Sequence, residues 1–196
     1  MARIGRPREF DVTDALDSAL EVFWRHGYDG TTMADLTSAM GINRAALYAA
    51  FTNKKELFYR ALDHYFHVDA IHTFKALEAP TAKEVTEQYL TRSVEQLTDP
   101  NRPLGCFVLR GALVTASENS DVADHMAKVR QAVRNDLQRR YERAQADGDL
   151  PPSESPAALT LYVLTVRHGL AVMACDGSSR DDLMAVARRA LAATGF

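Results

Sequence analysis

The residues between Thr31 and Lys55 carry the side chains most suited to chemistry with a polyanion. Arg44, Ala45 and Tyr48 fall on one side of a short helical stretch, and Thr31, Thr32 and Asn43 precede it, with Lys54 and Lys55 following it. An arginine near the start of an exposed helix can make a bidentate contact to guanine, and an alanine can meet a thymine methyl. Tyrosine and threonine hydroxyls and lysine ammonium groups reach phosphate oxygens. Lys54 and Lys55 open a helix, where cations oppose the helix dipole. A nearby polyanion accounts for them better than helix stability does. Arg3, Arg6 and Arg8 flank Gly5 and Pro7 in an amino-terminal arm suited to a minor groove.

A second set of reactive side chains lies further on. Cys106 follows Pro103 and Gly105 at an expected helix start, with Arg102 close in sequence, and both features lower a thiol pKa. A redox- or electrophile-sensing thiol and a buried structural cysteine both fit that position. His64 and His67 stand three apart beside Asp63, with His72 beyond, a spacing able to hold a metal. No second pair at ligand spacing accompanies them, so solvated residues are the plainer reading and no metal or cofactor is assigned. The chain has no phosphate-binding glycine loop, no nucleophile elbow and no two-histidine zinc signature. An enzyme built on Cys106 and His168 is the remote alternative.

Local signals position the first set. Thr32 and Asp35 have the spacing of a capping box, and Leu36, Ala39 and Met40 give the helix after them one apolar face. Gly41 permits the positive φ that a tight turn between helices needs. Asn43 caps a second helix with Ala46, Leu47 and Phe51 inward, which leaves Arg44, Ala45 and Tyr48 outward. Before the pair, Val12, Ala15, Leu16, Ala19, Leu20 and Phe23 recur at helical spacing, and His26-Gly27 ends that run. After it, Asn53 opens a helix expected to run to about Leu77, since no Pro or Gly intervenes before Pro80.

The rest reads as helices from Pro80-Thr81 to Leu97, Leu104 to Ala116, Asp121 to Ala146, Ser155 to Cys175 and Ser179 to Ala193. The fold class is all-α, about nine helices, with a boundary near Phe66. Residues 1–66 read as a helix-turn-helix unit suited to DNA, and residues 67–196 as a helical bundle that could bury a cavity.

Composition is consistent with this division. The chain has 196 residues, 46% apolar content and a net charge of −3, so any DNA surface must be local. Two cysteines make no disulfide framework, and the first ten residues carry no apolar leader segment, which together point to the cytoplasm. From Ala157 to Cys175, 14 of 19 residues are apolar, but Arg167, His168 and Gly169 interrupt the centre. An arginine there costs ~2.5–3.5 kcal/mol in a spanning helix, which favours a buried helix and no membrane partner.

Gly5 to Arg8, His26 to Tyr28, Thr31-Thr32, Gly41-Ile42, Leu47-Tyr48, Phe51 and Lys54 together resemble the tetracycline-repressor (TetR) family over about Phe10 to Tyr65. The Leu104-Gly105-Cys106 segment is similar to a carboxy-terminal subgroup of that family. The resemblance implies a homodimeric transcription regulator, usually a repressor. It would read a palindromic double-stranded operator and release it on binding a small molecule. Tyr48 and Lys54 match family positions that contact phosphates. Where the family often carries another aromatic or histidine, this chain has Ala49-Ala50, which throws more weight on Arg44 and Tyr48.

Apolar and aromatic side chains on the bundle helices make Phe66, Phe74, Tyr89, Cys106, Phe107, Leu113, Tyr141 and His168 the expected effector pocket. The helix from Ala157 is apolar around most of its circumference. Leu159, Tyr162, Val163, Val166, Leu170 and Met173, with Leu183, Val186 and Leu191, are therefore expected to meet a partner copy.

Overall fold

The computed structural model describes residues 11–195, so the arginines of the amino-terminal arm, Arg3, Arg6 and Arg8, lie outside the described residues. Within that range the chain is helical, with ten α-helices and two short 3₁₀ turns. In order they are α1 (Val12–Gly30), α2 (Met33–Met40), α3 (Arg44–Ala50), α4 (Lys54–Val68), α5 (Ile71–Phe74), α6 (Ala82–Leu97), α7 (Phe107–Arg110), α8 (Ser120–Ala146), α9 (Pro156–Cys175) and α10 (Arg180–Ala192).

The caps form as the local signals require. Thr32 and Asp35 make both bonds of a capping box, Gly41 takes φ 65° to turn the chain, and Asn43 Oδ1 accepts from the amide of Ala46. Asn53 caps α4 through Glu56 in the same way. Each such cap stabilises its helix by about 1 kcal/mol, a large share for helices as short as α2 and α3. Leu36, Leu47, Phe51, Leu57 and Phe58 are buried beneath them, whereas Ala39 stays exposed and Ala46 is half-buried.

An aromatic core joins the amino-terminal helices to the bundle. The Phe58 ring lies 5.1 Å from Phe23 and 5.5 Å from Phe107, and Trp24 meets Tyr65 at 5.1 Å. Each ring buried this way contributes on the order of 1.5–3 kcal/mol. Helix α1 breaks at Gly27, whose φ of 69° is open to glycine at no steric cost. That break frees the Tyr28 amide, which donates to the carbonyl of Gly111 at 2.7 Å.

Two expected helices differ from the reading above. The helix from Asn53 stops at Val68 instead of reaching Leu77. Asp69 is drawn to Arg102, with Nε to Oδ1 at 2.6 Å, and Ala70 turns inward to full burial. The chain resumes as α5 and a 3₁₀ turn, which raises the count to ten. The segment Leu104 to Ala116 is helical only over Phe107–Arg110. Gly105 takes φ 86°, and the Gly111 carbonyl is given to Tyr28, so the helix cannot propagate through either end.

Helix α9 is long and apolar enough to cross a membrane by length and composition. In the fold it packs on α6, α8 and α10, with Arg167 buried at its centre.

Candidate nucleic-acid interface and buried cavity

The outer side of α3 presents Arg44, Ala45 and Tyr48, all exposed. The Arg44 guanidinium sits 5.8 Å from the Tyr48 ring centre, so the two side chains form one surface. Asn43 is also exposed, but its carbonyl oxygen is occupied by the α3 cap. Thr32 uses its hydroxyl on Asp35, donating to Oδ2 at 2.7 Å and accepting from the amide at 3.1 Å. Thr31 departs from expectation. It is buried and donates its hydroxyl to the Gly27 carbonyl at 2.7 Å, which bridges the break in α1 and does not face outward.

The two lysines opening α4 point to different neighbours. Lys54 lies with its ammonium 4.4 Å from the Tyr28 ring centre, and burial pulls its pKa below the ordinary value against the opposing charge of Asp29. Lys55 is ion-paired with Asp121 in the first turn of α8. Asp29 accepts from the Ala116 amide and from Asn119 Nδ2, both at 2.6 Å. The base of α1, the start of α4 and the start of α8 are therefore joined at one junction.

The buried thiol lies behind this junction. Cys106 is fully buried, with Arg167 Nη1 and Nη2 each 3.7 Å from its sulfur and the Tyr65 hydroxyl at 3.6 Å. Burial pushes the thiol up, but the charge of Arg167 and the hydrogen bonds outweigh it and hold Cys106 below its ordinary value. Arg102, the neighbour expected from sequence, is elsewhere. It grips Asp17 through both terminal nitrogens at 2.7 and 3.0 Å, and Asp69 through Nε.

Next to Arg167 is a small cavity of about 30 Å³, lined by Tyr65, Phe66, Phe74, Leu109, Arg130 and His168 among others. Burial, with the charges of Arg167 and Arg130, pushes His168 down to about 4. Of the residues proposed from sequence for an effector pocket, Phe66, Phe74 and His168 line this cavity, and Cys106 sits behind Arg167. Four other expected pocket residues do not. Tyr89 is buried without a partner for its hydroxyl, its ring 5.8 Å from the Arg167 guanidinium. Phe107 belongs to the aromatic core, and Tyr141 is bonded to the Thr86 hydroxyl at 2.7 Å. Leu113 is 59% exposed in the irregular stretch after α7.

The histidines separate rather than converge. His64 Nε2 faces Asp17 at 3.2 Å, and His67 Nδ1 donates to the carbonyl of Asp63. Among the described residues no group of three His, Cys, Asp or Glu side chains is placed to hold a metal.

The apolar face expected to meet a partner splits in two. Leu159, Val163 and Leu170 of α9 and Leu183 of α10 are buried within their own chain, where α9 packs on α6, α8 and α10, and so leave that face. Tyr162, Met173 and Val186 are exposed, while Val166 and Leu191 are half-buried. Leu161 and Val172 are also exposed on α9 and extend the patch.

A family model described as bacterial regulatory proteins, tetR family, matches residues 15–61, the span of the helix pair and its flanking helices. The HTH-type transcriptional repressor ComR of Escherichia coli (strain K12) is 31% identical over 185 residues, covering 93% of this chain and 88% of that protein. The chain belongs to the TetR family. BdcR, another HTH-type transcriptional repressor of the same organism, is 30% identical across 95% of this chain and 90% of its own length. A solved structure of a cysteine variant of the TetR-family regulator CifR, complexed with 26-base-pair operator DNA, is 39% identical with a TM-score of 0.91. It covers 96% of this chain and 99% of its own.

This TetR-family chain is a DNA-binding transcriptional regulator and not an enzyme. Of the two residues that the family resemblance assigns to phosphates, Tyr48 is exposed at the surface beside Arg44 and Lys54 leans on Tyr28. Sequence reasoning missed Arg167 and Arg130 beside the cavity and Asp121 beside Lys55. Arg167 did leave a signal, as the charge interrupting an apolar run. Arg130 and Asp121 left none, because each is an ordinary polar residue of an amphipathic helix.

Proposed function

We propose that this chain is a cytoplasmic repressor that binds a palindromic operator as a homodimer and releases it when a small molecule occupies the bundle. Residues 1–66 read the DNA, and residues 67–196 hold the effector and the partner copy. The observation that carries this reading is the capped α2–α3 pair, which holds Arg44, Ala45 and Tyr48 outward on a rigid base. The exposed patch of Tyr162, Val172, Met173 and Val186 supports the dimer, since an apolar face of this kind is usually covered. Two-fold pairing sets the recognition helices against successive major grooves, about 34–36 Å apart or a multiple of it.

Helix α4 supplies the coupling. It carries Lys54 and Lys55 at one end and Tyr65 and Phe66, against the cavity, at the other. A ligand that displaces Phe66 therefore acts on the helix that anchors the DNA-reading unit.

A second reading, a thiol-responsive regulator, is favoured by the contact between Arg167 and Cys106. A thiol held toward its thiolate form is the reactive form toward electrophiles.

Fluorescence anisotropy with DNA from upstream of the chain's own coding sequence tests the proposal. Tyr48→Phe combined with Lys54→Ala weakens binding to all sequences alike and flattens the salt dependence. Arg44→Ala costs roughly 1–3 kcal/mol on the operator and relaxes its sequence preference. Equal affinity of parent and variants for operator and scrambled DNA overturns the reading.

A further inference from the structure

The cavity beside α9 carries more positive charge than the fold neutralises. Arg167 is buried, and its donors go to Ser93 Oγ at 3.1 Å and to the Cys106 sulfur. Arg130, half-buried on α8, donates to the carbonyl of Val108 at 3.3 Å. Among the described residues neither guanidinium has a carboxylate within ion-pair distance, whereas Arg102 has three. A guanidinium taken out of water without an anion beside it is costly, so a supplied anion gains by sitting against these two. Cys106, even as thiolate, is one anion set against two cations.

The cavity's size and surroundings narrow what that anion is. At about 30 Å³ it admits a water or the head of a ligand, not a whole ligand. Phe66, Phe74 and Val133 line it and also line an outer groove of about 550 Å³ between α4, α5 and α8. The other walls of that groove are Ile71, Leu77, Val129 and Ala132, all apolar, with His67 and Asp136 the polar residues of its lining. The Phe66 and Phe74 rings stand 5.6 Å apart and are only half-buried, so they form a partition that side-chain rotation opens.

We infer that this site takes an amphipathic carboxylate, its head seated in the inner cavity against Arg130 and Arg167 and its apolar tail in the outer groove past Phe66 and Phe74. The inference rests on the proposed reading that the bundle holds an effector, and adds the ligand's chemical class. Guanidinium groups bind carboxylates in a planar two-point fashion, which a neutral amide of the same length cannot reproduce.

Calorimetry of the full chain with octanoate and octanamide tests it, without DNA present. Octanoate is expected to bind at least roughly tenfold more tightly than octanamide, the difference a charge-assisted pair supplies over a neutral one. Arg130→Met removes most of that preference and leaves octanamide affinity as it was. Arg167→Lys keeps the buried charge but not the planar fork, and lowers octanoate affinity in a protein whose fold is checked by circular dichroism. Val133→Trp closes the passage and weakens both ligands. Equal affinity for the two ligands, or no binding of either by the folded parent chain, overturns the inference. Operator anisotropy in parallel separates the two claims. Octanoate binding with the operator retained upholds the ligand class and removes the effector reading. Release by octanamide as readily as by octanoate, unchanged in Arg130→Met, does the reverse.

Discussion

Lys55, in the first turn of α4, is ion-paired with Asp121, in the first turn of α8. Both side chains are substantially exposed, so the pair does little for stability. Its position matters more than its strength. α4 anchors the DNA-reading helices and α8 walls the cavity, and this contact crosses between them. If Lys55 meets an operator phosphate, as proposed, that phosphate and the Asp121 carboxylate compete for the same ammonium group.

Asp121→Asn is therefore expected to free Lys55. Operator affinity rises, and the slope of log affinity against log salt steepens by about one ion. Lys55→Ala produces the opposite change. The double variant behaves like Lys55→Ala if the gain runs through the lysine, and keeps the gain if Asp121 acts only as a general negative charge. Anisotropy titrations across a salt series distinguish these outcomes. An unchanged slope in Asp121→Asn leaves Lys55 as a structural tie alone.

Arg102 closes a different junction. It holds Asp17 on α1 and Asp69 after α4, and Asp69 is nearly enclosed. Burial raises the Asp69 pKa, against the lowering effect of Arg102. Arg102→Met leaves that carboxylate buried without its partner, at a cost of roughly 3 kcal/mol, the lower end for a broken buried pair because Asp17 is partly exposed. Adding Asp69→Asn removes the stranded charge, so the double variant recovers part of the loss. Urea denaturation of the four proteins in the cycle reads this directly. Additive losses with no recovery would mean that Arg102 acts through packing.

The elements that sequence made legible are those set by short-range signals. Thr32, Asp35, Gly41, Asn43 and Asn53 act on backbone groups within three residues, so their caps and turn form wherever the chain places them. The end of α4 at Val68 was not legible, since no local breaker stands there and the break is made by Arg102 from 33 positions further on. The same distance hid the partner of Cys106. The thiol's neighbour in sequence, Arg102, was committed to carboxylates, and the guanidinium that meets it comes from α9. Helix α9 also shows the limit of periodicity. An apolar surface on every side gives no phase, so Leu159 and Val163 could not be told from Tyr162 and Met173 until the helix was packed.

The contact of Arg167 with Cys106 has a consequence for stability against pH. Burial alone raises a thiol pKa, but here the charge of Arg167 and the bonds from Tyr65 and the backbone bring it below the ordinary value. A group whose pKa is lower folded than unfolded releases its proton more readily in the folded chain. Its stabilisation is complete above the unfolded thiol value of about 8.5, and is lost as pH falls through the folded value. In a Cys175→Ser background, the stability gap between the parent and Cys106→Ser should thus widen as pH rises from the folded value toward about 8.5, then level off. Arg167→Lys should shift that widening, because a single ammonium nitrogen on a shorter stem cannot replace the two guanidinium nitrogens at the sulfur. Urea unfolding across the neutral to alkaline range measures the gap. A gap that does not change with pH would mean that Cys106 stays a neutral thiol beside Arg167, and the thiol-responsive reading would lose its physical basis.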